Sequence, residues 1–412
     1  MKILHYGLNY SPEITGIGKY SGEKAEWLAR QGHEVRIVCA PPYYPEWSIG
    51  DNYKSWRYVR ESINSVSVFR CPLYIPHQPS MLSRLVHLSS YALSSFPIIL
   101  KQFFWRPDVV ITVEPTFFCT PVTLLLAKLS GAKSVLHVQD FELDAMLGLG
   151  MGNDGLLARF SHFIESLIMR RFDAITSISY SMVNKADVKT RHSPSASLFP
   201  NWVDIDFVTP ATDASIFRAR WNISPKTKVV LYSGNMGKKQ GLELVIGAAN
   251  SFREQNDVLF ILVGTGAAFP DLNALAADLT LPNMHFYPLQ DYQDLPSLMA
   301  LADVHLVVQK KGVADAVLPS KLTTIFSAGG TALITAEDNT ELGLLCDNYP
   351  NIAKRVEPEC IDDFVEALSG LLNAVDVNNR VHNKTARDYA VNHLSKEVVL
   401  RQYEQDLMAL CQ

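Results

Sequence analysis

The chain is predicted to be an α/β protein of two Rossmann-like, doubly wound domains that face each other across a cleft. Three observations carry that prediction. Short apolar, β-branched runs alternate with longer amphipathic stretches, as βαβ units and parallel sheets require. The alternation occurs twice, with a break near residue 200. The 412 residues, 48% apolar and 19% charged, are enough for two cores of ordinary domain size.

In the first series the strands are expected at 2–10, 34–40, 66–74, 108–114, 134–140 and 174–179, with helical stretches between most of them. In the second they are expected at 229–235, 258–264, 284–289, 304–309, 332–335 and 352–356. The helix after the first of these is read from Leu242, Val245, Ile246, Ala249 and Phe252, whose spacing places them on one face. Between the series, FPNWVDIDFVTPATDAS is dense in Pro, Asp and Thr and ends the first run. The expected division is a first domain over 1–200, a linker over 201–215, a second domain over 216–380, and C-terminal helices over 381–412 that can pack back on the first domain.

The net charge of −5 and the lack of a Lys/Arg block argue against a nucleic-acid partner. Cys39, Cys71, Cys119, Cys346, Cys360 and Cys411 are scattered, with no C-x-x-C pair and no His at zinc spacing, so reduced thiols and no structural metal are expected. The opening MKILHYGLNY reads as a strand and lacks the basic and apolar regions of a secretory signal, which points to the cytoplasm. The stretch LVHLSSYALSSFPIIL has no formal charge but contains His, Pro and four serines, and falls short of the ~20 apolar residues a spanning helix needs.

Doubly wound sheets bind ligands at the carboxyl ends of their strands, so candidate residues are sought there. The first βα turn holds Gly16 and Gly18 ahead of a helix, where backbone amides can approach a phosphate or sugar hydroxyl, although such a pair also serves as a plain tight turn. The segment SVLHVQDFELDAML puts His137, Asp140, Glu142 and Asp144 at or just past a strand end. These side chains suit sugar hydroxyls or a cationic transition state, and Asp140 alternatively suits a helix cap. Gly234 and Gly237 precede Lys238 and Lys239 at an expected helix start, a combination that opposes the charge of a diphosphate. Pro319 and Ser320 are ordinary helix-start residues, but Lys321 beside them opposes the helix dipole, which an anionic ligand would compensate.

These segments, in this order, resemble the family 4 retaining glycosyltransferases of GT-B fold, and the resemblance spans almost the whole chain. The motifs that carry it are MKILHYGLNYSPEITGIGKYSGEKAEWLARQGHEVRIVCAPPYYP, VLHVQDFELDAMLGLG, SGNMGKKQGLELVIGAA and VVQKKGVADAVLPSKLT. The resemblance implies a sugar moved from a nucleotide-sugar donor, held mainly by the second domain, to an acceptor held by the first, without a metal or other cofactor. It further implies exopolysaccharide assembly of the colanic acid type on a lipid-linked saccharide, with L-fucose from GDP-fucose as the expected donor.

Carried over by position, His137 lies near the transferred sugar; with Asp140 beside it at the strand end it is expected to be catalytic, and Glu142 and Asp144 just beyond are expected to meet the acceptor. Gly16 and Gly18 lie by the donor phosphates, joined from the second domain by Gly234, Asn235, Lys238, Lys239 and Gln240. Gly264, Ser320 and Lys321 complete the donor set, and Leu289, within 288–290, borders the base. The chain departs from the family pattern in two places. Gln240 replaces the usual lysine before glycine, and VLPSKLTTIF replaces the usual pair of glutamates, so the ribose contact has no assigned residue. A nucleotide-sugar-modifying enzyme such as an epimerase is the alternative of the same architecture.

Residues 81–107 are dense in aliphatic and aromatic side chains, with Arg84, Lys101 and Arg106 as their formal charges. This composition suits an anionic membrane surface, with Tyr91, Phe96, Phe103, Phe104 and Trp105 entering the acyl boundary. The competing reading is a buried helix covering the sheet, interrupted near Pro97.

Overall fold

The computed structural model describes residues 1–13, 16–44, 46–50, 52–76, 81–141, 144, 155–312 and 319–412. The chain forms two compact units, Met1–Pro200 with Leu400–Gln412, and Asn201–Val399. The first contains β1 (Lys2–Tyr6), β2 (Glu34–Cys39), β3 (Val59–Ile63), β4 (Val66–Arg70), β5 (Val109–Glu114), β6 (Lys133–Val138), β7 (Ala174–Ser177) and β8 (Ala196–Leu198). They make one sheet in the order β3-β4-β2-β1-β5-β6-β7-β8. Every pairing is parallel except β3 with β4. The central strand β5 is buried at every residue, the burial expected of a parallel strand covered on both faces.

The hairpin strand β3 and the short β8 are absent from the sequence reading. β3 reads VRESI, half exposed and charged, so it lacks the apolar run that marks the central strands. Its turn to β4 is made by Asn64 and Ser65, both at positive φ, as a two-residue hairpin demands.

The second unit contains β9 (Lys228–Ser233), β10 (Val258–Val263), β11 (Met284–Tyr287), β12 (Val304–Val307), β13 (Ala332–Thr335) and β14 (Lys354–Val356). They form a parallel sheet in the order β11-β10-β9-β12-β13-β14. Strand order reverses between β1 and β5 in one sheet and between β9 and β12 in the other, which creates a crevice at each carboxyl edge.

The stretch 201–215 is not a free linker. Val203 and Val208 are buried in the second unit's core, and Val203 exchanges backbone hydrogen bonds with Leu394 and Lys396. Most of 381–399 belongs with it for the same reason, since Ala386, Ala390 and Leu394 fill that core. Only Leu400–Gln412 joins the first unit, where Tyr403 stacks on Phe199 at 3.9 Å and Glu404 lies 2.7 Å from His33.

The helix Met81–Lys101 runs unbroken through Pro97. His87, Leu88, Tyr91, Ser95 and Ile99 recur at helical spacing and are buried against the sheet. The Tyr91 hydroxyl reaches Gly7 O and Val38 O, both at 2.9 Å, so Tyr91 belongs to the core and not to a membrane face. Trp105 is likewise buried, its indole N–H donating to Glu34 at 2.7 Å. The outward face keeps Leu82, Val86, Leu93 (76% exposed), Phe96, Phe103 and Phe104 (85% exposed). Among the described residues no helix is long and apolar enough to cross a membrane.

Candidate active site

In the first unit the turn after β1 is organised by Glu13, a residue the sequence reading passed over. Its carboxylate is buried and accepts from the backbone N–H of Tyr43 at 3.1 Å, of Tyr44 at 3.2 Å, and from Asn9 Nδ2 at 3.0 Å. Burial pushes its pKa up while those three donors pull it down, and the net shift is upward. A side chain at Gly18 would meet Glu13, its Cβ falling 2.6 Å from Glu13 Cβ and closer still to the carboxylate. Gly18 is therefore required for packing. Gly16, the first residue of the helix Gly16–Arg30, has φ +57° and so needs glycine for its backbone.

His137, the penultimate residue of β6, is buried. Its Nδ1 lies 2.9 Å from Thr176 Oγ1, and Gln139 Nε2 approaches its Nε2 at 3.0 Å. With that amide donating, the ring proton sits on Nδ1 and is given to Thr176. Burial holds the His137 pKa well below the ordinary value, the nearby Lys24 charge adds to this, and Thr176 opposes it. His5 on β1 is depressed in the same way by burial, Lys24 and His137, and neither of its ring nitrogens has a hydrogen-bond partner among the described residues.

Lys24, also missed in the sequence, is 3% exposed on the helix Gly16–Arg30. Its ammonium lies 5.6 Å from the Phe199 ring and 5.4 Å from that of Tyr403, and burial lowers its pKa to about 7. Phe199 in turn sits edge-on to His137 at 5.0 Å. The imidazole is thus held uncharged and oriented, with both ring nitrogens engaged, one by Thr176 and the other by Gln139.

The expected acids part company. Asp140 is exposed just past β6. Glu142 lies outside the described residues. Asp144 is occupied: Lys185 Nζ is 2.6 Å and Lys189 Nζ 3.0 Å from its carboxylate, and Lys189 also pairs with buried Glu165. Burial would raise the Asp144 pKa, but the hydrogen bonds and charges of the two lysines outweigh it and lower it. His162 joins Asp144 and Glu165 in a cluster of ligand-type atoms within 4.8 Å of one another. The two ammonium groups already neutralise its carboxylates, so neither an acceptor contact nor a metal is favoured there.

In the second unit the carboxyl edge gathers residues far apart in sequence. Gly234 follows β9 with φ +143°, and a Cβ there would lie 3.6 Å from Lys321 Nζ. That ammonium sits 3.8 Å from the Tyr232 ring centroid, and the Tyr232 hydroxyl donates to Asn235 O at 2.6 Å. Lys321 enters from the first turn of the helix Ser320–Ser327, whose N-cap position is Pro319. Exposed Ser320 is the first residue of that helix. The amides of Gly234 and Gly264 donate to Val263 O at 2.9 Å and Tyr287 O at 3.0 Å, so these glycines provide clearance rather than donors. A Cβ at Gly264 would strike the carbonyl of Gly234.

Lys238 and Lys239 do not start a helix. They and Gln240 form a 3-10 turn that left-handed Gly241 ends, and the helix Glu243–Ser251 follows. Both lysines are exposed, and Lys239 O accepts from Lys310 N at 3.0 Å, tying the turn to the end of β12. Gln240, in the position of the usual lysine, turns toward Gly237 a buried carboxamide oxygen that has no hydrogen-bond partner among the described residues. Leu289 lies exposed just beyond β11, near the stacked pair Trp221–Tyr287.

A glycine-cleared strand edge faces a helix-start lysine on a doubly wound sheet, and the two sheets are those of the GT-B glycosyltransferase fold. Residues 15–202 match the Glycosyl transferase 4-like domain and residues 213–388 match Glycosyl transferases group 1. The chain belongs to the family 4 glycosyltransferases. It is 50% identical over 99% of its length to the whole of a colanic acid biosynthesis glycosyl transferase, WcaI, of Escherichia coli (strain K12). Two solved structures share the fold. Sucrose-phosphate synthase from Thermosynechococcus elongatus has TM-score 0.72 at 15% identity, with 100% of this chain and 99% of that one covered. Anabaena HepE in complex with UDP and glucose has TM-score 0.68 at 13% identity, with 99% and 100% covered.

Proposed function

We propose that the chain transfers a sugar, with retention and without a metal, from a nucleotide-sugar donor to a lipid-linked saccharide in assembly of a colanic acid-like exopolysaccharide. L-Fucose from GDP-fucose is the first donor to test. One observation carries the reading: Lys321, an ammonium at a helix start, is brought over Gly234 at the carboxyl edge of the second sheet. That arrangement suits a diphosphate. The HepE complex with UDP and glucose supports a nucleotide-sugar donor, and the name of the 50% identical relative supports the polysaccharide.

In the proposed step an acceptor hydroxyl oxygen bonds to the anomeric carbon on the face from which the diphosphate departs. The carbon–oxygen bond to the diphosphate breaks, and the leaving diphosphate takes the hydroxyl proton. Lys321, with Lys239 from the 3-10 turn, opposes the charge that grows on the leaving group, and such electrostatic stabilisation contributes most to lowering the barrier of a substitution of this kind. Neutral His137 orients the transferred sugar by accepting from one of its hydroxyls at Nε2, in place of the Gln139 amide. The exposed apolar face of the helix Met81–Lys101, continued by Phe103 and Phe104, supports peripheral docking on the inner face of the cytoplasmic membrane.

The test is a panel of nucleotide sugars scored by thermal shift and by hydrolysis, since a bound donor stabilises the protein by mass action. One donor is expected to raise the melting temperature and be slowly hydrolysed. Recovery of an epimerised nucleotide sugar, with no hydrolysis or transfer, would overturn the proposal in favour of a sugar-modifying enzyme.

A further inference from the structure

The amino edge of the second sheet, opposite to the edge that carries Gly234 and Lys321, holds a cavity of about 710 Å³. Asp303, just before β12, and Thr331, just before β13, lie in its floor, and all of its wall belongs to the second unit. Its volume is that of a metabolite site. Three helices end in the wall: Leu295–Leu301 beside Ala302, Ser320–Ser327 beside Ala328, and Ile361–Asn373 beside Ala374. A helix end presents carbonyls without intrahelical partners and the negative pole of the helix, which a basic residue in the last turn commonly offsets. None of the three helices has one. Arg387 meets the end of Ser320–Ser327, at Ser327 O and 2.7 Å.

The charged side chains leave the same sign over. The Asp303 side chain is 1% exposed and is held by Arg380 Nε at 2.6 Å and by Arg218 at 3.8 Å. Both guanidiniums also donate to backbone carbonyls, Arg218 to Ser224 and Thr227 and Arg380 to Pro225, Thr227 and Val377, so they are fixed in place. Asp213 and Asp376, exposed on two walls, have no ion-pair partner among the described residues. Behind the floor His305 is 2% exposed, with one ring nitrogen donating to the Met299 carbonyl. Its Nε2 is buried without a hydrogen-bond partner among the described residues and faces Gly330 of the cavity, 2.7 Å from where a Cβ would stand. Burial pushes the His305 pKa down to about 4, so this nitrogen is a neutral acceptor. Among the described residues no three His, Cys, Asp or Glu ligand atoms converge in the cavity, an arrangement that does not suit a metal ion. It suits an elongated cation rich in N–H donors.

We propose that this cavity binds an aliphatic polyamine of the spermidine type, with one ammonium group at Asp213, another at Asp376 and the end of the helix Ile361–Asn373, and the methylene chain along Met299, Leu371 and Val375. Charge-assisted hydrogen bonds to the two carboxylates and to helix-end carbonyls supply the attraction. The apolar side chains between them select a chain of methylenes over a compact cation. The site stands apart from the donor edge, and neither assignment depends on the other.

The test is calorimetry of spermidine, butylamine and Mg²⁺ at fixed ionic strength, on the parent and three variants, with a cooperative thermal melt to report that each is folded. Spermidine is expected to bind the parent saturably at one site, and butylamine and Mg²⁺ more weakly. Asp213→Asn with Asp376→Asn should weaken spermidine by about tenfold or more, as for loss of charge-assisted contacts. Glu254→Gln with Asp278→Asn removes the same charge from exposed positions elsewhere on the second unit and should leave spermidine binding unchanged. Ala374→Lys places a cation at the exposed end of the helix Ile361–Asn373, so it should raise the melting temperature and weaken spermidine. Should the Asp213 and Asp376 variant not fold, Ala374→Lys must by itself weaken spermidine. Absence of saturable binding to the parent, or butylamine binding as tightly as spermidine, overturns the assignment. Equal loss in the two double variants, or displacement of spermidine by Mg²⁺ at equal ionic strength, also overturns it, because either marks diffuse attraction to a chain of net charge −5.

Discussion

Replacing Lys24 with Met keeps the length of the side chain and removes its charge. In water this ammonium titrates near 10.5, and burial brings it to about 7. Between those values the unfolded chain holds one proton more than the folded chain, so parent stability should rise with pH by about 1.4 kcal/mol per unit from this group. Below pH 7 both states are protonated and the folded state bears the whole cost, on the order of 5 kcal/mol as an upper bound. Above 10.5 the cost is gone. The Met variant has no such proton and should lack this slope. It also forfeits the contacts of the ammonium with Phe199 and Tyr403, worth about 0.5–2 kcal/mol. The variant should therefore be the more stable protein at pH 6, with the difference shrinking or reversing by pH 10. Urea unfolding of both proteins at pH 6, 7, 8, 9 and 10 measures this. Parallel pH profiles would refute the reasoning, because they would mean that Lys24 is already solvated or paired.

His137→Ala should lower turnover by about tenfold or more while leaving donor affinity within about threefold, and unchanged turnover in a folded variant removes the residue from the catalytic set. Gly18→Ala forces Glu13 off the loop it anchors and should cost about 1–3 kcal/mol by thermal melting. Gly50→Ala, with nothing within 4 Å of its Cβ, is the control and should melt with the parent. Changing exposed Leu93 and Phe104 together to Glu should abolish sedimentation with anionic vesicles. Equal sedimentation of the variant and parent would assign that face to something other than a membrane.

The central strands could be read from the sequence because strands covered on both faces must be continuously apolar. The edge strands β3 and β8 were missed because they are half exposed and lack that pattern. Lys321 could be found because a lysine in a helix's first turn conflicts with the local field. Lys24 and Glu13 gave no such signal. One looks like any helix-surface lysine and the other like any loop acid, and only the returning C-terminal segment with Tyr403 and the loop carrying Tyr43 show what they do. Asp144 misled for the opposite reason: its position past a strand end suggested a ligand, while Lys185 and Lys189, more than forty residues on, had already claimed it. The 201–215 stretch has the composition of a linker, but the two valines that enter the core decide its place.

The most direct test of the central claim, that the second unit holds the diphosphate of a nucleotide-sugar donor at Lys321, is calorimetric titration of GDP and UDP into the parent and Lys321→Ala. The parent should bind one of the two nucleotides, and the variant should bind it with a loss of about 1.5–3 kcal/mol, as for a hydrogen bond to a charged group. That loss is a roughly 10- to 150-fold weaker Kd. Equal affinity in the parent and the variant would contradict the account.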